Sequence, residues 1–139
     1  MNNFQSMFDF ASNMARDTRK RYHLTLGRLI KVLEATNPDV NFGAVDPDGT
    51  PIYLNGFTSY RGYYADLAIK PSSTPTKVGT ILLQAKAALG KTFKGYKGGD
   101  FEMGDDTPLW VAPWGSTGHA VVDIAINHES IRLILKEVD

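Results

Sequence analysis

The sequence predicts an α+β fold: two related helix-plus-antiparallel-strand halves around one core, with an extra N-terminal amphipathic helix. Three observations lead there. Apolar residues recur at helical spacing in three segments. Short runs of β-formers bounded by turn residues follow the second and third of these. Finally, Leu26-Gly27-Arg28-Leu29-Ile30 is echoed by Val78-Gly79-Thr80-Ile81-Leu82, and Asp66-Leu67-Ala68-Ile69 by Asp123-Ile124-Ala125-Ile126.

Each element has its own signal. Phe4, Met7, Phe8, Ala11 and Met14 make one apolar face over the first sixteen or so residues, with Arg16, Arg19, Lys20 and Arg21 at the end where cations suit the helix dipole. A second helix runs from Thr25 or Leu26 to about Ala35, with Leu26, Leu29, Ile30 and Leu33 inward, and Asn37-Pro38 stops it. Val40 to Val45 and Ile52 to Leu54 flank the turn signal Asp46-Pro47-Asp48-Gly49 and read as a hairpin. A strand from about Tyr63 to Ile69 closes the first half.

Pro71 to Pro75 is a linker-like break, and a third helix spans about Thr76 to Leu89, with Val78, Ile81, Leu82, Ala85 and Leu89 inward. Gly90 to Gly104 is a glycine-rich loop, followed by strands at Leu109 to Ala112, Ala120 to Ile126 and Ile131 to Val138. Alternation sends Leu67, Ile69, Ile124 and Ile126 into the core and Asp66 and Asp123 to the other face. The expected organisation is an N-terminal extension over 1–23 and a single α+β domain over 24–139, with halves at 24–70 and 76–127 and a final strand at 130–138.

With 139 residues the chain supports one core of ordinary size. It has no cysteine, which excludes disulfides, thiolate nucleophiles and cysteine-held metal centres. Lys plus Arg and Asp plus Glu both number 15, so whole-molecule steering toward long nucleic acid is not expected. No apolar run suits a membrane span, and the charges near the start follow the apolar stretch instead of preceding it, so a cytoplasmic location is expected. Positive charge is concentrated locally: between 77 and 100 stand Lys77, Lys86, Lys91, Lys94 and Lys97 against Asp100 alone.

Two loops carry the candidate ligand-binding residues. In the second half, Lys91, Thr92, Lys94, Gly95, Tyr96, Lys97, Gly98 and Gly99 interleave lysines and glycines with aromatic residues. Glycines admit close backbone approach, lysines neutralise phosphate and rings stack on a base. The competing reading is a glycine-rich β-turn with solvated lysines and with Phe93 and Phe101 as core anchors. Gly90-Lys91-Thr92 is not a phosphate loop, because position 85 is Ala85 and the triplet follows a helix. In the first half, Tyr60, Arg61, Gly62 and Tyr63 join a planar guanidinium to aromatic rings. The plain alternative there is a half-buried strand tyrosine and an Arg61–Asp66 pair. Trp114 borders the small-residue loop Gly115 to His119 and completes the candidate wall, whereas Trp110 lies within a strand and reads as core.

The catalytic inventory is thin. His23, His119 and His128 share no metal-ligand spacing, no cofactor signature is present, and neither catalytic residues nor metal ligands are assigned. Asp66 and Asp123 stand at matching repeat positions, which favours a structural role such as accepting backbone N–H bonds; acid-base work by a pair of strand carboxylates is the alternative.

The strings Ser59-Tyr60-Arg61-Gly62-Tyr63-Tyr64-Ala65-Asp66-Leu67-Ala68 and Gly90 to Phe101, followed by Asp106-Thr107-Pro108-Leu109-Trp110-Val111, resemble a family of small proteins of tailed phages and prophages. The resemblance covers about 24–127; the segment before Tyr22 lies outside it and is expected to serve self-association. It implies an accessory protein acting on host metabolism or defence. Together these readings lead to an expected binder that sequesters a nucleotide-like or phosphorylated small molecule, in its sharpest form a cyclic nucleotide of antiviral signalling, and that forms a homo-oligomer through the N-terminal helix. The alternatives are an inhibitor docking its Tyr, Trp and Arg residues on a host protein, and a small nucleotide hydrolase using Asp66, Asp123 or His119.

Overall fold

The computed structural model describes residues 19, 22–61, 63–95, 98–113 and 118–137. Among them, helix α1 (Leu26–Glu34) precedes strands β1 (Asn41–Val45), β2 (Pro51–Ser59), β3 (Leu67–Ser72) and β4 (Thr76–Lys77). Helix α2 (Val78–Ala88) leads to β5 (Thr92–Lys94), β6 (Asp100–Glu102), β7 (Leu109–Val111), β8 (His119–Ile126) and β9 (Ser130–Lys136).

The pairings close six strands into a ring. β1, β2 and β3 are antiparallel neighbours, as are β7, β8 and β9. Two parallel pairs, β3 with β7 and β9 with β1, join these meanders edge to edge and leave the ring without a free seam. β4 adds to the stretch of β1 that β2 leaves uncovered. The ring encloses Phe42, Ala44, Leu54, Leu67, Ile69, Leu109, Val111, Val121, Ile131, Leu133 and Leu135, and this core is continuous with the buried faces of both helices.

Local chemistry explains the elements. Thr25 caps α1, its hydroxyl oxygen accepting from Arg28 N, and Leu26, Leu29, Ile30 and Leu33 form its buried stripe. Between β1 and β2, Oδ1 of Asp46 accepts from the N–H groups of Asp48 and Thr50, while Gly49 takes φ +92°, a conformation that favours glycine. The helix starts make matching bonds. Leu26 and Gly27 donate to Thr107 O and Asp105 O ahead of β7, and Val78 and Gly79 donate to Val40 O and Pro38 O ahead of β1. Each helix is thus tied at its start to the entry of the opposite meander.

The expected α+β class is corrected: among the described residues two helices of 9 and 11 residues stand against nine strands, so that what is described is mostly β, with a mixed sheet. The halves are not joined by antiparallel pairing alone, and the strands matched from sequence are not equivalent. β3 has one parallel neighbour, whereas β8 has only antiparallel ones. Periodicity identifies an element, but its partners are set by distant segments.

Smaller expectations shift as well. Ile126 is exposed and Ile124 half-buried, although their register partners Ile131 and Leu133 are buried; Ile126 is the last residue of β8, next to the Asn127–Ser130 turn. In α2, Ala88 is buried while Leu89 is exposed and Leu82 half-buried. The expected N-terminal amphipathic helix lies outside the described residues.

Candidate functional site

The outer face of β3, β7 and β8 carries a second, aromatic cluster. Alternation that turns Leu109 and Val111 into the ring turns Trp110 outward, into a register row running Thr58, Ala68, Trp110, Ala120 and Lys136. The alanines on either side leave room for the indole to lie over the sheet. Tyr60 stacks on it with centroids 4.2 Å apart and 13° between planes, and His23 meets it edge-on at 4.7 Å.

Asp66 organises this cluster from below. It is fully buried; its Oδ2 accepts from Arg19 Nε at 2.7 Å and from Trp110 Nε1 at 2.9 Å, and Oδ1 accepts from Arg19 Nη2 at 3.3 Å. Its backbone closes the preceding loop, donating to Tyr63 O and accepting from Tyr60 N. The Arg19 guanidinium also lies 3.9 Å from the Tyr63 ring centroid, so one cation serves a carboxylate and a ring. Nδ1 of His23, in the tautomer that carries its proton there, donates to Leu109 O at 3.1 Å. Burial pushes the His23 imidazole below its ordinary pKa, against the raising effects of that bond and of Asp66.

The second candidate loop is a hairpin. β5 and β6 pair Thr92 with Glu102, Phe93 with Phe101 and Lys94 with Asp100. Phe93 and Phe101 pack against the core. At the tip, Gly95 N–H donates to Gly99 O and Gly98 N–H to Gly95 O, and Gly98 and Gly99 both take positive φ. Part of the glycine content is therefore accounted for by the turn. Lys91 Nζ sits 4.9 Å from the Phe93 ring centroid.

The two loops meet. Tyr64 and Phe101 are in ring contact at 5.8 Å, and a Cβ on Gly95 would come within 3.0 Å of both rings and 2.9 Å of Gly98 O. At Gly95 the loops pack so closely that only a residue without a side chain fits. Around this seam Lys91, Thr92, Lys94, Gly98 and Gly99 are exposed, Tyr63 is 46 % exposed, and Arg61 is half-buried. Tyr60, by contrast, is buried under Trp110 and Tyr63 and offers no open face for stacking. Gly62, Tyr96, Lys97 and Trp114 lie outside the described residues.

The carboxylates weighed for acid-base work occupy unlike settings. Asp66 is engaged by Arg19 and Trp110, whereas Asp123 is exposed and accepts from Ile124 N at 2.8 Å. His119 opens β8 opposite Val111. Among the described residues no group of three or more His, Asp or Glu is placed to hold a metal ion. Arg19 and His23 escaped the sequence reading as partners of Asp66 and Trp110, because nothing local links residues so far apart in the chain. No protein-family model, curated protein or solved structure matches this chain.

Proposed function

We propose that this protein is a non-catalytic binder that captures a phosphorylated or nucleotide-like small molecule across the seam between residues 60–64 and the β5–β6 hairpin. The observation that carries the reading is the Tyr64–Phe101 contact over Gly95, which brings the turn that follows the exposed Lys94 against a tyrosine-bearing loop, with the exposed Lys91 at the other end of β5. Ammonium groups neutralise phosphate, and an exposed tyrosine such as Tyr63 offers a base an aromatic edge. The engagement of Asp66 by Arg19 and Trp110 argues against its use as a general base. The resemblance of the two loop motifs to phage proteins supports sequestration as the purpose, with a cyclic nucleotide of antiviral signalling as the candidate ligand.

Calorimetric titration with a panel of linear and cyclic nucleotides tests this. Binding is expected for at least one, with the nucleotide recovered intact after heat denaturation of the complex. Lys91→Ala and Lys94→Ala should each weaken binding about tenfold, the scale of one charge-assisted hydrogen bond, at an unchanged melting temperature. Recovery of a cleaved product, or lysine variants that bind as tightly as the parent, would overturn the reading. Native mass spectrometry of the same complex reads the subunit number and tests the proposed homo-oligomer.

A further inference from the structure

A separate cleft of about 230 Å³ lies on the outer face of the ring, where β1 passes between β2 and β9. One register row crosses it. Tyr53 of β2 pairs with Gly43 of β1, and Gly43 pairs on its other side with Arg132 of β9. Phe42 and Ala44 face the core, so Gly43 belongs to the outer face, and having no side chain it makes a bare floor between an aromatic residue and a cation. A Cβ on Gly43 would meet Ile52 O at 2.7 Å, so the floor is kept bare by the close approach of β2.

The walls have unused recognition capacity. Tyr53 is 48 % exposed. Arg132 is exposed and, among the described residues, its guanidinium has neither a hydrogen-bond acceptor nor a carboxylate partner. At the rim, Asn41 accepts from Lys77 Nζ at 3.0 Å through Oδ1, which commits the amide oxygen and leaves its N–H groups as donors. Glu129 is also on the rim, and its negative charge disfavours a doubly charged ligand more than a singly charged one.

We propose that this cleft is a second binding site, independent of the seam, for a small planar carboxylate: the carboxylate forked by Arg132, its flat body over Gly43 and against Tyr53. Arginine and carboxylate match as a two-bond fork, and a cleft of this volume has room for one ring.

The test is an NMR titration of backbone amides in the intact chain, with benzoate as the probe and phenyl phosphate and cyclohexanecarboxylate as comparisons. Benzoate should give saturable shifts centred on Gly43, Tyr53 and Arg132 and should bind more tightly than either comparison. Arg132→Gln should weaken it about tenfold or more, and Tyr53→Leu should remove the preference for benzoate over cyclohexanecarboxylate, both at unchanged melting temperature. Absence of saturable shifts in this row, or an Arg132→Gln variant that binds benzoate as well as the parent, overturns the site. Tighter binding of phenyl phosphate overturns the carboxylate assignment.

Discussion

Trp110 donates its indole N–H to Oδ2 of Asp66 at 2.9 Å. The same oxygen takes the Nε–H of Arg19 at 2.7 Å, so a buried carboxylate ties the sheet, the 60–66 loop and the segment before α1 to one another.

Removing the cation should expose how much rests on this carboxylate. The Arg19 side chain is 14 % exposed and that of Asp66 1 %, so solvent does little to relieve a lone charge. Arg19→Met is predicted to cost about 3–5 kcal/mol, the scale for orphaning one partner of a buried pair. The double variant Arg19→Met/Asp66→Asn should be more stable than Arg19→Met alone, because it removes the unpaired charge. Urea denaturation measures both, and a double variant no more stable than the single would refute the account.

Trp110→Phe separates packing from hydrogen bonding. The smaller ring can still stack on Tyr60, but Asp66 loses a donor, and a loss of about 1–3 kcal/mol is predicted. Trp110→Ala removes the stack as well and should cost more. Equal losses in the two variants would mean that the indole ring, apart from its N–H, contributes nothing.

His23 should give the protein an acid-sensitive component. Burial lowers its pKa from the ordinary 6.5, so the folded chain holds that proton less tightly than the unfolded one. The unfolded state then binds more protons below 6.5, and the sign follows: this contribution is intact above 6.5 and is lost as pH falls from there through the folded value. The stability difference between the parent and His23→Phe should therefore shift in favour of the variant on going from about pH 7.5 to 5.5. A difference that does not change with pH would contradict the assignment.

Gly27 and Gly79 occupy matching places at the helix starts but are not equally confined. A Cβ on Gly27 meets Asp105 O at 2.9 Å, a backbone atom, whereas one on Gly79 meets Pro38 Cβ at 3.0 Å and Pro38 O at 3.4 Å. Gly27→Ala is predicted to destabilise by about 1–3 kcal/mol, the cost of overpacking, and Gly79→Ala by less. Thermal melts rank them, and the reverse order would show that the Asp105 loop yields more readily than Pro38.

Much of the local structure was legible in the sequence. Leu26, Leu29, Ile30 and Leu33 announce α1 and its buried side, because a 3.6-residue period leaves few other ways to bury them. Asp46 to Gly49 announces the β1–β2 turn for a similarly local reason. The β5–β6 hairpin was legible in part: the reading of Gly90 to Gly104 as a glycine-rich β-turn anchored by Phe93 and Phe101 anticipated its tip and its packed rings, but its strands of three residues are too short for alternation to show. At the seam, the composition of both loops was readable, but their contact through Tyr64, Gly95 and Phe101 was not.

By itself the sequence determined where the two helices lie, where β1 turns into β2 and which apolar faces seek cover, since propensity, periodicity and turn chemistry act over a few residues; β3 instead runs over Leu67–Ser72, into the stretch that reads as a linker. Tertiary structure alone decided that β1 would lie parallel to β9 and β3 to β7, that the ring would close, and that Asp66 would find Arg19. Those outcomes depend on contacts between segments tens of residues apart, whose energy is collected only once the whole ring forms, so no short stretch of sequence records them.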